Sequence, residues 1–156
     1  MGYAERVLQP GEQITYRARL HWIIYAPAVM LIAAALAGAL WGGSLQDRVE
    51  RYAVLAIAGL VLLVGLFSAV QAWFRAANTE IIVTTRRIIY KTGFISRDTT
   101  EMNLSKVESV KVQQGVLGRI FDFGALIIRG VGAGIEPVAN VATPLEFHRY
   151  VNAGEN

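Results

Sequence analysis

The chain has 156 residues, a formal charge of +3 and no cysteine, which excludes disulfides, thiolate metal sites and thiol nucleophiles. Ten Lys/Arg stand against eight Asp/Glu from Arg75 onward. That balance is too even to argue for nucleic acid, though it suits the face of an anionic membrane.

Pro10-Gly11 is a turn signal, and strict alternation follows from Gln13 to Leu20. Ile14, Tyr16, Ala18 and Leu20 fall on one side, with Gln13, Thr15, Arg17 and Arg19 on the other. This period predicts a half-buried strand. Such a strand needs a partner for its backbone groups, and the β-rich candidate lies far downstream, so the segment 1–21 is expected to dock on the C-terminal domain.

Two apolar runs come next: 21 residues from Trp22 to Gly42 and 22 from Ala53 to Phe74, neither with an Asp, Glu, Lys or Arg. At about 1.5 Å per helical residue each reaches roughly 30 Å, the thickness of a bilayer's hydrocarbon core. A transmembrane hairpin over 22–74 is therefore expected, with helices over 22–42 and 53–74 and both chain ends on one side of the membrane. Trp22, Tyr25, Trp41, Tyr52 and Trp73 stand at the ends of the runs, where rings that are apolar but carry a polar atom anchor to the interface. Pro27 falls in the second turn, and Gly38, Gly59 and Gly65 are candidates for close helix contact. Without an ionisable residue the runs hold no proton relay or ion path, and they read as an anchor. A cleaved signal peptide is the competing reading, because Ala37-Gly38-Ala39 resembles a cleavage site. The long preceding region with Glu5 and Glu12 argues against it. Arg6, Arg17, Arg19, Arg75, Arg86, Arg87 and Lys91 flank the hairpin, while its loop carries only Arg48 and Arg51. This bias predicts that both termini are cytoplasmic.

Residues 75–156 have the composition of a β domain. Strands are expected over Glu80–Thr84, Arg87–Lys91, Thr99–Leu104, around Val110 and Val112, over Gly124–Arg129 and over Ile135–Val141. Thr92-Gly93 should turn the chain into Phe94 and Ile95, and Gly115–Phe123 is a connector with a single helical turn. Thr143, Pro144 and Glu146 form a capping box with proline at the first helical position, which predicts a final helix packing through Phe147, Tyr150 and Val151.

Several motifs together carry a resemblance. They are Pro10-Gly11-Glu12, the alternating segment into His21-Trp22, the two spans, Ile82 through Ile89, Lys91-Thr92-Gly93, Leu104 through Val110, Gly118-Arg119 and Phe123-Gly124. In this order the chain resembles small bacterial membrane proteins with a pleckstrin-homology domain, the YdbS-like group. The resemblance implies a PH-like β-sandwich or partly open barrel, closed by a C-terminal helix and held on the cytoplasmic face. Six downstream strands are one short of the fold's seven, so either one is hidden or the N-terminal strand completes the sheet. Eukaryotic PH domains bind phosphoinositides through a Lys in the first hairpin followed by a Lys/Arg-x-Arg. This chain offers Lys91 and Arg97, but Asp98 and Thr99 follow.

No constellation supports catalysis. Asp122-Phe123-Gly124 lacks the other parts of a kinase, and the Gly130, Gly132, Gly134 cluster precedes a strand rather than a helix. His21 and His148, without cysteine or clustered carboxylates, make no metal set. The expected function is a non-catalytic, cofactor-free interaction or assembly module at the cell membrane, with a protein partner or a second copy as its target. The alternatives are a sensor of anionic lipid and a transporter accessory subunit. Arg86, Arg87 and Lys91 are the candidate contacts to lipid or partner, with the Arg86-Arg87 bend expected to be exposed. Gln113, Gln114 and Arg119 either satisfy loop carbonyls or line a partner groove.

Overall fold

The computed structural model describes residues 8–93, 98–132 and 134–153. The chain forms two compact units, Trp22–Arg75 and the paired segments Met1–His21 and Ala76–Asn156.

The first unit opens with a 3-10 turn, Trp22–Tyr25, that leads into helix α1, Ala26–Ser44. Pro27 is thus the second residue of the α-helix, where its missing N–H leaves no bond unmade. Helix α2 runs over Arg48–Asn78 and starts well before the expected Ala53. Asp47 explains the difference: its Oδ1 accepts the backbone N–H groups of Val49 (2.8 Å) and Glu50 (3.1 Å) and caps the helix early. Both helices are long and apolar enough to cross a membrane, and only 17% and 11% of their most apolar stretches are buried. The core helix of a soluble protein would be mostly covered.

Small residues line the seam between the two helices. The buried positions are Ala28, Ala35 and Gly42 on α1 and Ala58, Gly65 and Ala72 on α2, one every seven residues. A seven-residue repeat keeps one stripe facing the partner helix, and small side chains let the backbones approach. A Cβ on Gly65 would lie 2.9 Å from Ile32 Cγ1, and one on Gly42 would lie 2.9 Å from Val54 Cγ1. Gly38 faces Ala58 at ordinary contact distance, whereas Gly59 has no atom within 4 Å of an added Cβ. Gly59 therefore plays no part in the contact expected of it, and Gly42, read as the end of a helix, does.

The described residues of the second unit form seven strands. Strands β1 (Ile14–Ala18), β2 (Glu80–Thr84), β3 (Arg87–Thr92) and β4 (Asp98–Asn103) form one antiparallel sheet in that order. Strands β5 (Val107–Gln113), β6 (Phe123–Gly130) and β7 (Gly134–Ala142) form a second. The N-terminal strand supplies the seventh: β1 pairs with β2 through Ala18 opposite Ile81 and Arg17 opposite Ile82. The helical hairpin is inserted between β1 and β2. Beyond β1, Leu20 bridges Val141 and ties the two sheets together. The inner strands β2 and β3 bury Ile81, Ile82, Val83, Ile88 and Ile89, as their unbroken β-branched runs require. The core between the sheets joins Ala18, Ile81, Val83, Ile88, Met102 and Leu104 to Leu126, Ile128, Val138 and Val141.

A short helix α3, Val116–Ile120, links β5 to β6, and α4, Pro144–Ala153, closes the unit by burying Phe147 and Val151. The capping box at α4 is not made. Thr143 has φ +45°, and its hydroxyl pairs with Tyr16 Oη at 2.6 Å instead of folding over the first turn of the helix. Its carbonyl accepts the N–H groups of Glu146 and Phe147. Tyr16 also stacks on Tyr150 (4.8 Å) and meets Phe147 edge-on, so β1 is fastened to the final helix as well as to β2. The expected turn through Phe94 and Ile95, and Arg97 with it, lie outside the described residues.

Candidate functional site

Thr85 and Arg86 form the bend that connects β2 to β3, Arg87 opens β3, and the two adjacent cations have different surroundings. Arg86 is exposed, with its backbone N–H on Thr84 Oγ1 and its carbonyl accepting the N–H of Leu104. Arg87 departs from the expected exposure: its side chain is only 11% accessible and is turned inward. Nε and Nη2 donate to the two carboxylate oxygens of Glu12 at 3.0 and 2.9 Å, and Nη1 donates to Glu101 at 2.7 Å. Two parallel bonds to one carboxylate are the strong form of this pair.

Glu12 is fully covered, and a carboxylate there must be paired to stay charged. Burial pushes its pKa up. The Gln9 N–H, the Thr84 hydroxyl and Arg87 outweigh that and lower it to about 2. The hydrogen bond to Glu12 raises the Arg87 pKa against its own burial. Thr84 completes the cluster, since its hydroxyl donates to Glu12 Oε1 (2.7 Å) and accepts the Arg87 backbone N–H (3.0 Å). The signal for Glu12 was its place directly before an alternating strand. Nothing local marks Arg87, rather than Arg86, as its partner.

Lys91 is not part of this cluster. It lies four residues along β3, about 13 Å away at the rise of a strand, opposite Glu80 on β2. Arg86, Arg87 and Lys91 thus do not converge on one headgroup-sized site.

A second feature lies at the other sheet. An open groove of about 690 Å³ runs between the end of β5 (Val112, Gln113), Gly115 and Arg119 at and within α3, and Leu145 of α4. Strand β5 pairs with β6 alone among the described strands, and Ala125 of β6, opposite Gln113, lines the groove with it. Gln114 serves the loop, donating Nε2–H groups to the Gly118 and Phe123 carbonyls at 3.2 Å. Gln113 and Arg119 are exposed on the groove instead.

On the hairpin, Trp22, Trp41, Tyr52 and Trp73 are all more than half exposed, and Tyr25 is half-buried. Trp22 to Trp41 and Tyr52 to Trp73 each cover about 30 Å of helix. No group of three or more His, Asp or Glu residues able to hold a metal occurs among the described residues.

Seven antiparallel strands in sheets of four and three with a closing C-terminal helix, carried with two membrane-length helices, define a membrane protein with a PH-like domain. The chain belongs to the bacterial PH domain family, whose model matches residues 23–154. It is similar to the transmembrane protein YdbT of Bacillus subtilis (strain 168), with 29% identity over 83 residues, 53% of this chain and 17% of that protein. The chain therefore spans about a sixth of that relative's length. No solved structure matches it.

Proposed function

We propose that the protein is a non-catalytic interaction module: the hairpin anchors it in the cell membrane, and the PH-like domain, on the cytoplasmic side, receives an extended segment of a protein partner or of a neighbouring copy. The observation that carries this reading is the groove over the end of β5, a strand whose outer edge pairs with no other described strand. An unpaired strand edge offers backbone donors and acceptors in register, and a flanking pocket can select side chains. Tethering raises the effective concentration of weak contacts, so modest affinity suffices. Lys/Arg bias across the hairpin supports the cytoplasmic placement.

Purification of the full-length protein in mild detergent tests the reading. A partner, or a second copy, is expected at fixed stoichiometry and is lost in Leu145→Asp, which places a charge at an exposed wall of the groove. A monomer that retains only lipid would refute it.

A further inference from the structure

Helix α3 exposes apolar side chains in a way the fold does not need. Val116, Leu117 and Ile120 are 78%, 61% and 68% exposed. Ile120 lies three residues from Leu117 and four from Val116, so it joins both on one side of the turn. Gly118, on the opposite side, is buried, and a Cβ there would meet the Phe123 carbonyl at 2.5 Å. The two bonds from Gln114 to the Gly118 and Phe123 carbonyls fix the same turn. The turn is held firmly with its apolar face outward.

Its place in the domain indicates what covers that face. Phe123, three residues after Ile120, stacks on His21 at 5.3 Å. His21 is the last residue before the first candidate span, and its N–H bonds to the Asn140 carbonyl one residue from the Leu20–Val141 bridge. The end of the domain that bears α3 is thus the end from which the chain leaves for the membrane. Arg119, exposed beside the apolar face, supplies the cation that interfacial segments set against lipid phosphate.

We infer that α3 is a second, interfacial membrane contact, with Val116, Leu117 and Ile120 embedded in the lipid surface and Arg119 at headgroup level. The turn is then a point of attachment to the lipid surface in addition to the spans. The contact adjoins the partner groove, which Arg119 also lines, but does not rest on that reading.

The chain has no cysteine, so single labels are unambiguous. Full-length Ile120→Cys and Val116→Cys, each carrying an environment-sensitive fluorophore, are reconstituted in phosphatidylcholine/phosphatidylglycerol vesicles. Val131→Cys is the control, being 67% exposed just past the opposite end of β6, about 26 Å from Phe123 by strand rise. Labels at 116 and 120 are expected to lose fluorescence to brominated acyl chains and to be shielded from iodide, with the reverse at 131. Quenching of all three by iodide would overturn the inference. Shielding of the α3 labels from both quenchers would also overturn it, since protein rather than lipid would then cover the face.

Discussion

Glu12 and Arg87, 75 residues apart in the chain and on either side of the membrane hairpin in sequence, form a bidentate ion pair with Glu12 fully covered. The pair closes the segment before β1 onto the β2–β3 bend. Removing one partner of a buried pair strands the other charge, at a cost of about 3–5 kcal/mol. Because Arg87 keeps Glu101 as a partner, Glu12→Gln is expected to lose less than that, about 1–3 kcal/mol, in denaturant unfolding of the β domain. The double variant Glu12→Leu/Arg87→Met should recover most of it, and a single variant within error of the parent would show the pair to be idle.

The same carboxylate predicts an acid dependence. Its folded pKa of about 2 lies below the unfolded value of 4.5, so its contribution is complete above 4.5 and disappears as pH falls from there through about 2. Stability measured across that window should fall more steeply for the parent than for Glu12→Gln. Parallel curves would mean that the Glu12 charge is not linked to folding.

Because β1 is the seventh strand, the β domain is not contained in the residues after the hairpin. A fragment of residues 76–156 leaves the β2 edge unpaired and uncovers Ile81 and Val83, which are 2% and 0% exposed in the whole chain. That fragment is expected to show poor amide dispersion and to bind hydrophobic dye. Residues 8–21 joined by a short flexible linker to residue 76 should give a folded soluble domain, because Arg17–Leu20 and Ala76–Glu80 line one small cavity. Equal dispersion in both proteins would contradict this.

The helix seam makes a contrasting pair of predictions. Gly65→Val places a branched side chain against Ile32, whose backbone nitrogen would be 3.2 Å from the new Cβ, and should loosen the hairpin. Gly59→Val meets nothing and should be tolerated. Resistance to detergent titration reports both, and the same response from the two variants would rule out the seam.

What was legible in the sequence follows the range of the interactions. Charge-free runs announced two membrane-length helices, because burial in lipid acts on every residue of a segment. Alternation in Ile14 to Leu20 announced β1, and the count of six later strands left it a place. Asp47 was a cap hidden in an apparent loop, so the second helix began earlier than its apolar run. Thr143 carried a capping signal that tertiary contact with Tyr16 redirected. The Arg86-Arg87 doublet looked solvated because Glu12 lies too far along the chain for any local pattern to connect them. Gly115–Phe123 read only as a connector with a single helical turn, and its outward apolar face shows in the exposure of Val116, Leu117 and Ile120 and the seat of Gly118.

The cytoplasmic placement is tested by a reporter fused after Asn156. Activity of a cytoplasm-dependent reporter is expected, and export of the reporter would invert the topology.

The most direct measurement is site-specific photo-crosslinking in intact membranes, with a photoreactive amino acid in place of Leu145 at the wall of the β5 groove. The interaction reading predicts one discrete protein adduct, either with a partner or with a second copy, and its loss when the exposed Gln113 in the same groove is changed to Glu. No adduct, or labelling of lipid alone, would contradict it.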